Sequence, residues 1–204
     1  MRHASSIEFW FEFGSTYTYP AAMRIEMLAA DRRVAVTWRP FLLGPIFRQQ
    51  GLTDSPFNIN PAKGRYMWRD VERICAAQDI AFRRPSVFPR NGLLAARVAC
   101  WHQDALWLPA FVRAVFRANF AQDLDIADPA IVSECLVDAG THPASAIDAA
   151  QSDASKDRLR RQTEHAMSLG IFGAPSFTVS GELFWGNDRL EAALSWATRR
   201  DSRV

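Results

Sequence analysis

The sequence predicts an α/β domain. Both ends of the chain contribute to one sheet, and an all-helical segment is inserted between them. Three observations carry this. Residues 7–40 hold two apolar runs separated by a helix-period segment, the spacing of a βαβ unit with parallel strands. Residues 175–185 hold two short apolar runs separated by Ser180-Gly181, a β-hairpin pattern, and a helical pattern follows. The stretch between is helical in period or punctuated by proline and glycine. With 204 residues, 49% hydrophobic and 23% charged, the chain has the composition of an ordinary globular protein. That length suits one domain, or one domain carrying a large insertion.

Each element has its own justification. Residues 7–13 place Ile7, Phe9, Phe11 and Phe13 on one face, against Glu8, Trp10 and Glu12 on the other. Trp10 makes both faces partly apolar, as in a sheet covered on two sides. A helix follows the Gly14-Ser15 turn and runs to about residue 30. Pro20 lies early in it, so the helix either kinks there or begins at Pro20 as its first residue. Residues 34–40 read as a second strand. Residues 41–61 read as loop, with Gly44, Pro45, Gly51, Pro56 and Pro61. Helices are expected over 63–79, 92–103, 108–119, 128–140 and 156–169. Asp128 caps the fourth with Pro129 at its first position, and Gly170 stops the fifth. Strands 175–179 and 182–185 follow. Asn187 or Asp188 then caps a last helix that carries Leu190, Ala193, Leu194 and Ala197 on one face.

Charge and cysteine usage exclude several classes. A net charge of +2 without a long basic run leaves no footprint for nucleic acid. The Arg158-Leu-Arg-Arg161 cluster reads as a solvated helix face. The opening Met-Arg-His-Ala-Ser-Ser is too short and polar for a signal peptide, and no apolar run is long enough to cross a bilayer. A cytoplasmic protein with no membrane partner is expected. Cys75, Cys100 and Cys135 are odd in number and far apart, and Cys75 and Cys100 sit among apolar residues on helices. No disulfide framework or metal site is expected: there is no Cys-x-x-Cys, and His3, His102, His142 and His165 form no i,i+4 pair.

The chemistry centres on the turn after the first strand. A strand, a tight turn and a helix point the helix's first N–H groups at whatever lies above the turn, and a helix N-terminus attracts an anion. Ser15 stands there, with Thr18 three positions on. The plain reading of Ser15 is a helix cap. The chemical reading is a hydroxyl that donates to a thiolate held by the dipole, the thiol being a bound one rather than the protein's own. A Ser-His-Asp triad has no Gly-x-Ser-x-Gly frame here. Other candidates have equally plain alternatives. Ala174-Pro175 is either an ordinary trans bond opening an edge strand, or a cis bond offering the Ala174 backbone to a peptide-like ligand. Trp185-Gly186-Asn187-Asp188 is a capping turn, or a second helix start with Asp188 facing an ammonium. Glu12 is a solvated acid, or a partly buried one that moves protons near the site. Lys63, with Tyr66, is exposed or meets a carboxylate. Trp10, Tyr17, Tyr19 and Trp38 are core, or a wall for a flat substrate.

Together these motifs resemble one family. Phe11-Glu-Phe-Gly-Ser-Thr-Tyr-Thr-Tyr19 is similar to the Phe-Asp-Phe-x-Ser-Pro-Tyr-Ser-Tyr signature of 2-hydroxychromene-2-carboxylate isomerases. Those enzymes are related to kappa-class glutathione transferases and share the DsbA-like thioredoxin fold. Arg39-Pro-Phe-Leu-Leu-Gly44, Asn60-Pro-Ala-Lys-Gly-Arg-Tyr66, Gly170-Ile-Phe-Gly-Ala-Pro175 and Phe184-Trp-Gly-Asn-Asp-Arg-Leu190 match as well, in order along nearly the whole chain. The resemblance implies a thioredoxin-like fold at residues 1–45 and 170–204, with a large all-helical insertion at 46–169 and Pro175 in cis. It also implies a homodimer with glutathione as cofactor and an aromatic 2-oxo acid as substrate. Ser15 would polarise or position the thiol, and Ser15 and Thr18 stand where redox relatives carry two cysteines. Ala174, Trp185, Gly186, Asn187 and Asp188 would contact glutathione, and Lys63 its glycyl carboxylate region or the substrate acid. Glu12, Tyr17 and Thr18 complete the turn.

The implied reaction adds the thiolate to an unsaturated carbon conjugated with the ketone, lets the former double bond rotate, and eliminates the thiolate again. A kappa-class-like transferase would lack the elimination. A non-catalytic thiol- or peptide-binding module is the alternative from a different class. Thr16 stands for the usual proline, Pro20 for leucine and Glu12 for aspartate. Residues 51–58 lack the family's Asn-x-Pro-Pro.

Overall fold

A computed structural model of the chain describes residues 5–200. Residues 1–4, which hold His3 and most of the polar N-terminal segment, and residues 201–204 lie outside it. The sheet has four strands: β1 (Ser6–Phe11), β2 (Ala35–Pro40), β3 (Ser176–Val179) and β4 (Glu182–Trp185). Their order is β2-β1-β3-β4. β1 runs parallel to β2, with Phe9 opposite Trp38, and α1 (Thr18–Ala30) makes the crossover. β3 is antiparallel to both β1 and β4, with Phe9 opposite Phe177 and Phe177 opposite Phe184. The two ends of the chain therefore form one sheet.

Side-chain alternation builds two cores. Ile7, Phe9, Phe11, Phe177 and Val179 belong to the larger one, with Ile25 of α1, residues of α6 (Leu108–Phe120), and Leu190 and Leu194 of α10 (Leu190–Arg200). Phe9 is fully buried; its ring stacks on Phe177 at 5.4 Å and meets Trp38 edge-on at 5.1 Å. The opposite face buries Trp10 with Phe41, Ile46, Ala166 and Ile171. The Trp10 indole N–H donates to Thr178, Thr178 donates to Glu8, and Arg39 pairs with Glu8 at 2.7 Å. Of the aromatics weighed as a substrate wall, Trp10, Tyr19 and Trp38 are core.

Between β2 and β3 the chain is helical: α2 (Leu43–Gln49), α3 (Pro56–Ile59), α4 (Pro61–Ala77), α5 (Leu93–Trp101), α6, α7 (Pro129–Asp138), α8 (Pro143–Gln151) and α9 (Asp153–Ser168). Several expectations are corrected here. β1 ends at Phe11, and Phe13 carries the apolar face on into α6, 5.1 Å from Phe116. α1 begins at neither proposed position. Tyr17 is its N-cap, and Pro20 is the third helical residue, where the missing N–H has no intrahelical partner to lose. The 41–61 loop contains α2 and α3, because Pro45 and Pro56 occupy first-turn positions that tolerate proline. α8 had no strong apolar stripe; only Ala146 and Ala150 are buried on it. α9 starts at Asp153 under a Ser152 cap rather than at residue 156.

The three cysteines are unpaired and buried, and burial pushes each thiol up to about 11. Among the described residues, no helix is long and apolar enough to cross a membrane.

Candidate active site

The turn is built from its backbone outward. Ser15 N–H donates to Glu12 O at 3.1 Å. Thr18 N–H and Tyr19 N–H then close i→i+3 bonds to Ser15 O and Thr16 O, both at 3.3 Å. These bonds lead the chain directly into α1. The N–H groups of Thr16 and Tyr17 meet no acceptor among the described residues. They are two of the orphan donors that a helix start presents. Half-buried Ser15 sits beside them, and its hydroxyl donates to Ala174 O at 3.0 Å, across 159 residues of sequence.

Ala174 precedes Pro175 through a cis peptide bond. Pro175 O accepts from Gly186 N–H at 2.9 Å, which ties this loop to the end of β4. Gly186 holds φ +111, a backbone that side chains rarely adopt. Trp185 is 53% exposed and packs edge-on to Phe172 at 4.8 Å. Its indole lies over Gly173, where a Cβ would come within 2.5 Å of Nε1. Asp188 is exposed, 3.4 Å from Arg189. Asn187 faces elsewhere: it is buried, and its Oδ1 accepts from Arg24 of α1 at 3.0 Å.

The third wall comes from α3 and α4. Tyr17 O–H donates to Asp70 at 3.1 Å, and its ring lies 6.1 Å from Phe57. Burial, then the Asp70 carboxylate, push the Tyr17 phenol well above its ordinary range; the charges of Tyr66 and Asp188 add to this. Tyr17 is thus tied to α4 through Asp70. Lys63 is exposed in the first turn of α4, and no ion pair engages it among the described residues. Gly64 lets α4 approach α3, since a Cβ there would lie 2.4 Å from Phe57 O.

Two buried polar groups sit at the turn itself. Glu12 is half-buried as a residue, yet its carboxyl is enclosed. Burial raises its pKa from 4.5 to about 7, opposed by the Gly14 N–H bond at 3.0 Å. Thr18 is fully buried, and its hydroxyl has no hydrogen-bond partner.

The structure therefore gathers Ser15, Ala174, Trp185 and Gly186 at one end of the sheet. Tyr17 links that end to Asp70 and α4, with Asp188 at the rim. The sequence reading missed Asp70, Phe57, Arg24 and the residues behind the turn. Asp70 was within reach: it lies four positions after Tyr66 and seven after Lys63, on one helical face. Phe57 and Arg24 carried no comparable local signal.

The chain matches the DSBA-like thioredoxin domain family over residues 6–195. A 2-hydroxychromene-2-carboxylate isomerase from Pseudomonas sp. (strain C18) is 30% identical over 196 residues, covering 90% of this chain and 86% of its own. Glutathione S-transferase kappa 2 of Caenorhabditis elegans is 23% identical over 208 residues, covering 93% and 90%. The solved structure of a 2-hydroxychromene-2-carboxylate isomerase superposes with a TM-score of 0.82 at 24% identity, over 97% of this chain and 98% of that one. With its mixed sheet, inserted helices and serine-bearing turn, the chain belongs to the DsbA-like thioredoxin family, in the group of the 2-hydroxychromene-2-carboxylate isomerases.

Proposed function

We propose that this chain is a glutathione-dependent isomerase acting on an aromatic 2-oxo acid of the 2-hydroxychromene-2-carboxylate type, in the catabolism of aromatic compounds. The observation that carries the reading is the turn: a serine hydroxyl beside two unpaired helix-start N–H groups, held against the Ala174 backbone. An anion is favoured there by dipole and donors together. The chain carries no sulfur at Ser15 or Thr18, so the thiol must come from a ligand. The residues present fit glutathione. Ala174 offers backbone polar groups, Trp185 and Gly186 form a wall, Asp188 can meet an ammonium, and Lys63 can meet a carboxylate.

When bound, glutathione supplies a thiolate that adds reversibly to the conjugated double bond. The protein's part is separate. The Thr16 and Tyr17 N–H groups hold negative charge at the turn. Ser15 donates its proton there as a hydrogen bond without giving it up. Tyr17, with its O–H committed to Asp70, serves as a wall and an acceptor. In this reading the cytoplasm is the place of work, the active form is a homodimer, and residues 46–169 act as the insertion that closes one side of the site.

The test compares wild type with Ser15→Ala. Thiolate absorbance of bound glutathione is followed against pH, and turnover is measured with the isomerase substrate. Wild type should hold the thiol ionised below the pH at which free glutathione ionises. Ser15→Ala should move that pH back toward the free value and slow turnover about 10- to 100-fold, the worth of one hydrogen bond to a charged group. A thiol that titrates as it does free in solution would overturn the proposal. Because a kappa-class relative shares most of the chain, thiol balance is measured too: stoichiometric loss of glutathione would make the chain a transferase instead.

A further inference from the structure

We propose that Asn119 of α6 is a positioning residue for the Ser15 turn, and that Arg90 and Asp123 fix its orientation from behind. The inference rests on the reading of Ser15 as the group that meets the thiol. It adds a device that sets where that group stands.

The turn's polar backbone is satisfied in three different ways. Gly14 N–H uses the Glu12 carboxyl, and Ser15 N–H uses Glu12 O. Phe13 O lies beyond the end of β1 and has no strand partner; it accepts from Asn119 Nδ2 at 3.0 Å. Asn119 is 1% exposed, so this bond is sealed from water. A carboxamide could present either its oxygen or its nitrogen to the turn, and only the nitrogen can donate. Arg90 decides the matter. Its guanidinium is donor-only and reaches both Asn119 Oδ1 and Asn119 O at 3.2 Å. With the amide oxygen on the guanidinium, the NH₂ must face Phe13.

Arg90 is itself fixed. It is 7% exposed and pairs with the Asp123 carboxylate, and it donates to Asp123 O and Ser86 Oγ at 3.1 Å each. Asp123 also accepts from Ser86 N–H at 2.8 Å and holds φ +59. The same segment closes over the turn. A Cβ at Gly14 would sit 3.2 Å from Arg90 O, and one at Gly92 would sit 2.7 Å from the Cβ of Phe13. Arg90, Gly92 and Asn119, all from the stretch between β2 and β3, thus close on Phe13-Gly14. Removing the Asn119 donor frees the carbonyl of the Phe13–Gly14 peptide unit, and Ser15 is the next residue.

Asn119→Asp is the near-isosteric test, because it keeps the volume and the Arg90 contact but removes the donor. In wild type and N119D, hydrogen exchange is read at the Gly14 and Ser15 amides and at the Phe9 and Phe177 amides of the sheet. Turnover and KM for glutathione and for the 2-oxo acid are measured alongside. We expect Gly14 and Ser15 to exchange at least tenfold faster while the sheet amides hold. We also expect kcat to fall about tenfold, with KM for the 2-oxo acid within about twofold. Unchanged exchange at Gly14 and Ser15 overturns the proposal. So does equal loss of protection across the sheet, which marks a merely structural role. A wild type that neither ionises bound glutathione nor turns over the 2-oxo acid defeats the functional reading, while the exchange data still judge Asn119. If N119D does not fold, the wild type decides. The Asn119 side-chain N–H protons should exchange slowly and show coupling across the hydrogen bond to the Phe13 carbonyl; fast-exchanging, uncoupled protons overturn the assignment.

Discussion

Glu12 should make the folded protein less stable as pH rises, and Glu12→Gln should remove that dependence. The sign follows from proton counts. Burial raises the native pKa from 4.5 to about 7, so between those values the native state keeps a proton that the unfolded chain has lost. Stability therefore falls as pH rises through that window, and the full cost applies above it. A displacement from 4.5 to about 7 corresponds to about 3 kcal/mol at most. Glutamine stays neutral, and its Oε1 can keep the Gly14 N–H bond at 3.0 Å. Its NH₂ enters an enclosed site and costs about 1 kcal/mol at every pH. E12Q should therefore be slightly less stable than wild type at pH 4.5, and more stable by about 2 kcal/mol at pH 8. Urea unfolding of both proteins at the two pH values reads this, and at pH 8 the midpoint of thermal unfolding should rise by roughly 4–8 °C. Parallel pH curves for the two proteins would refute the reasoning, because they would mean that the Glu12 carboxyl is solvated in the native state.

Two further outcomes follow from packing. Phe9→Ala removes a fully buried ring stacked on Phe177 and edged by Trp38, and should cost about 3–5 kcal/mol in urea unfolding. A loss under about 1 kcal/mol would mean that the sheet's inner face is not packed as described. Gly173→Ala puts a methyl 2.5 Å from the Trp185 indole nitrogen, and Trp185 is exposed enough to swing away. The fold should lose no more than about 1 kcal/mol, while glutathione affinity by calorimetry drops about tenfold, which is about 1.4 kcal/mol. Unchanged affinity would take Trp185 out of the proposed binding wall.

The sheet was legible because each of its strands has alternation and turn chemistry within a few residues. Ile7-Phe9-Phe11 and the Ser180-Gly181 hairpin announce themselves locally. α2 and α3 were not legible, because proline and glycine in a first turn look the same as proline and glycine in a loop. α8 hid because alanine fills its buried positions. The Ser15 turn could be seen from a strand, a small polar run and a helix in series. What lay out of view was the support reaching it from far along the chain, above all Asn119 on Phe13 at a separation of 106 residues. A buried asparagine on α6 has no periodicity that points to a carbonyl on a distant turn. Only the requirement that buried polar groups find partners implies that such a residue exists, and that requirement does not say which one.

Ser15 has one proton, and it is committed to Ala174 O at 3.0 Å. Donating to a thiolate means leaving that carbonyl, and an unpaired half-buried carbonyl costs about 1–3 kcal/mol. A hydrogen bond to a charged group returns about 1.5–3 kcal/mol, so the exchange alone yields little. The balance becomes favourable if the incoming molecule brings its own N–H to Ala174 O. A bare thiol cannot do this, whereas a thiol next to a peptide N–H can. In the proposed reading, the Ser15–Ala174 bond therefore acts as a selector: it makes activation of sulfur at the turn depend on a peptide group arriving with it. The Thr16 and Tyr17 N–H groups carry no such condition, since they meet no acceptor among the described residues. The helix start stabilises charge for any thiol, and the serine adds its hydrogen bond only for a thiol that brings a peptide group with it.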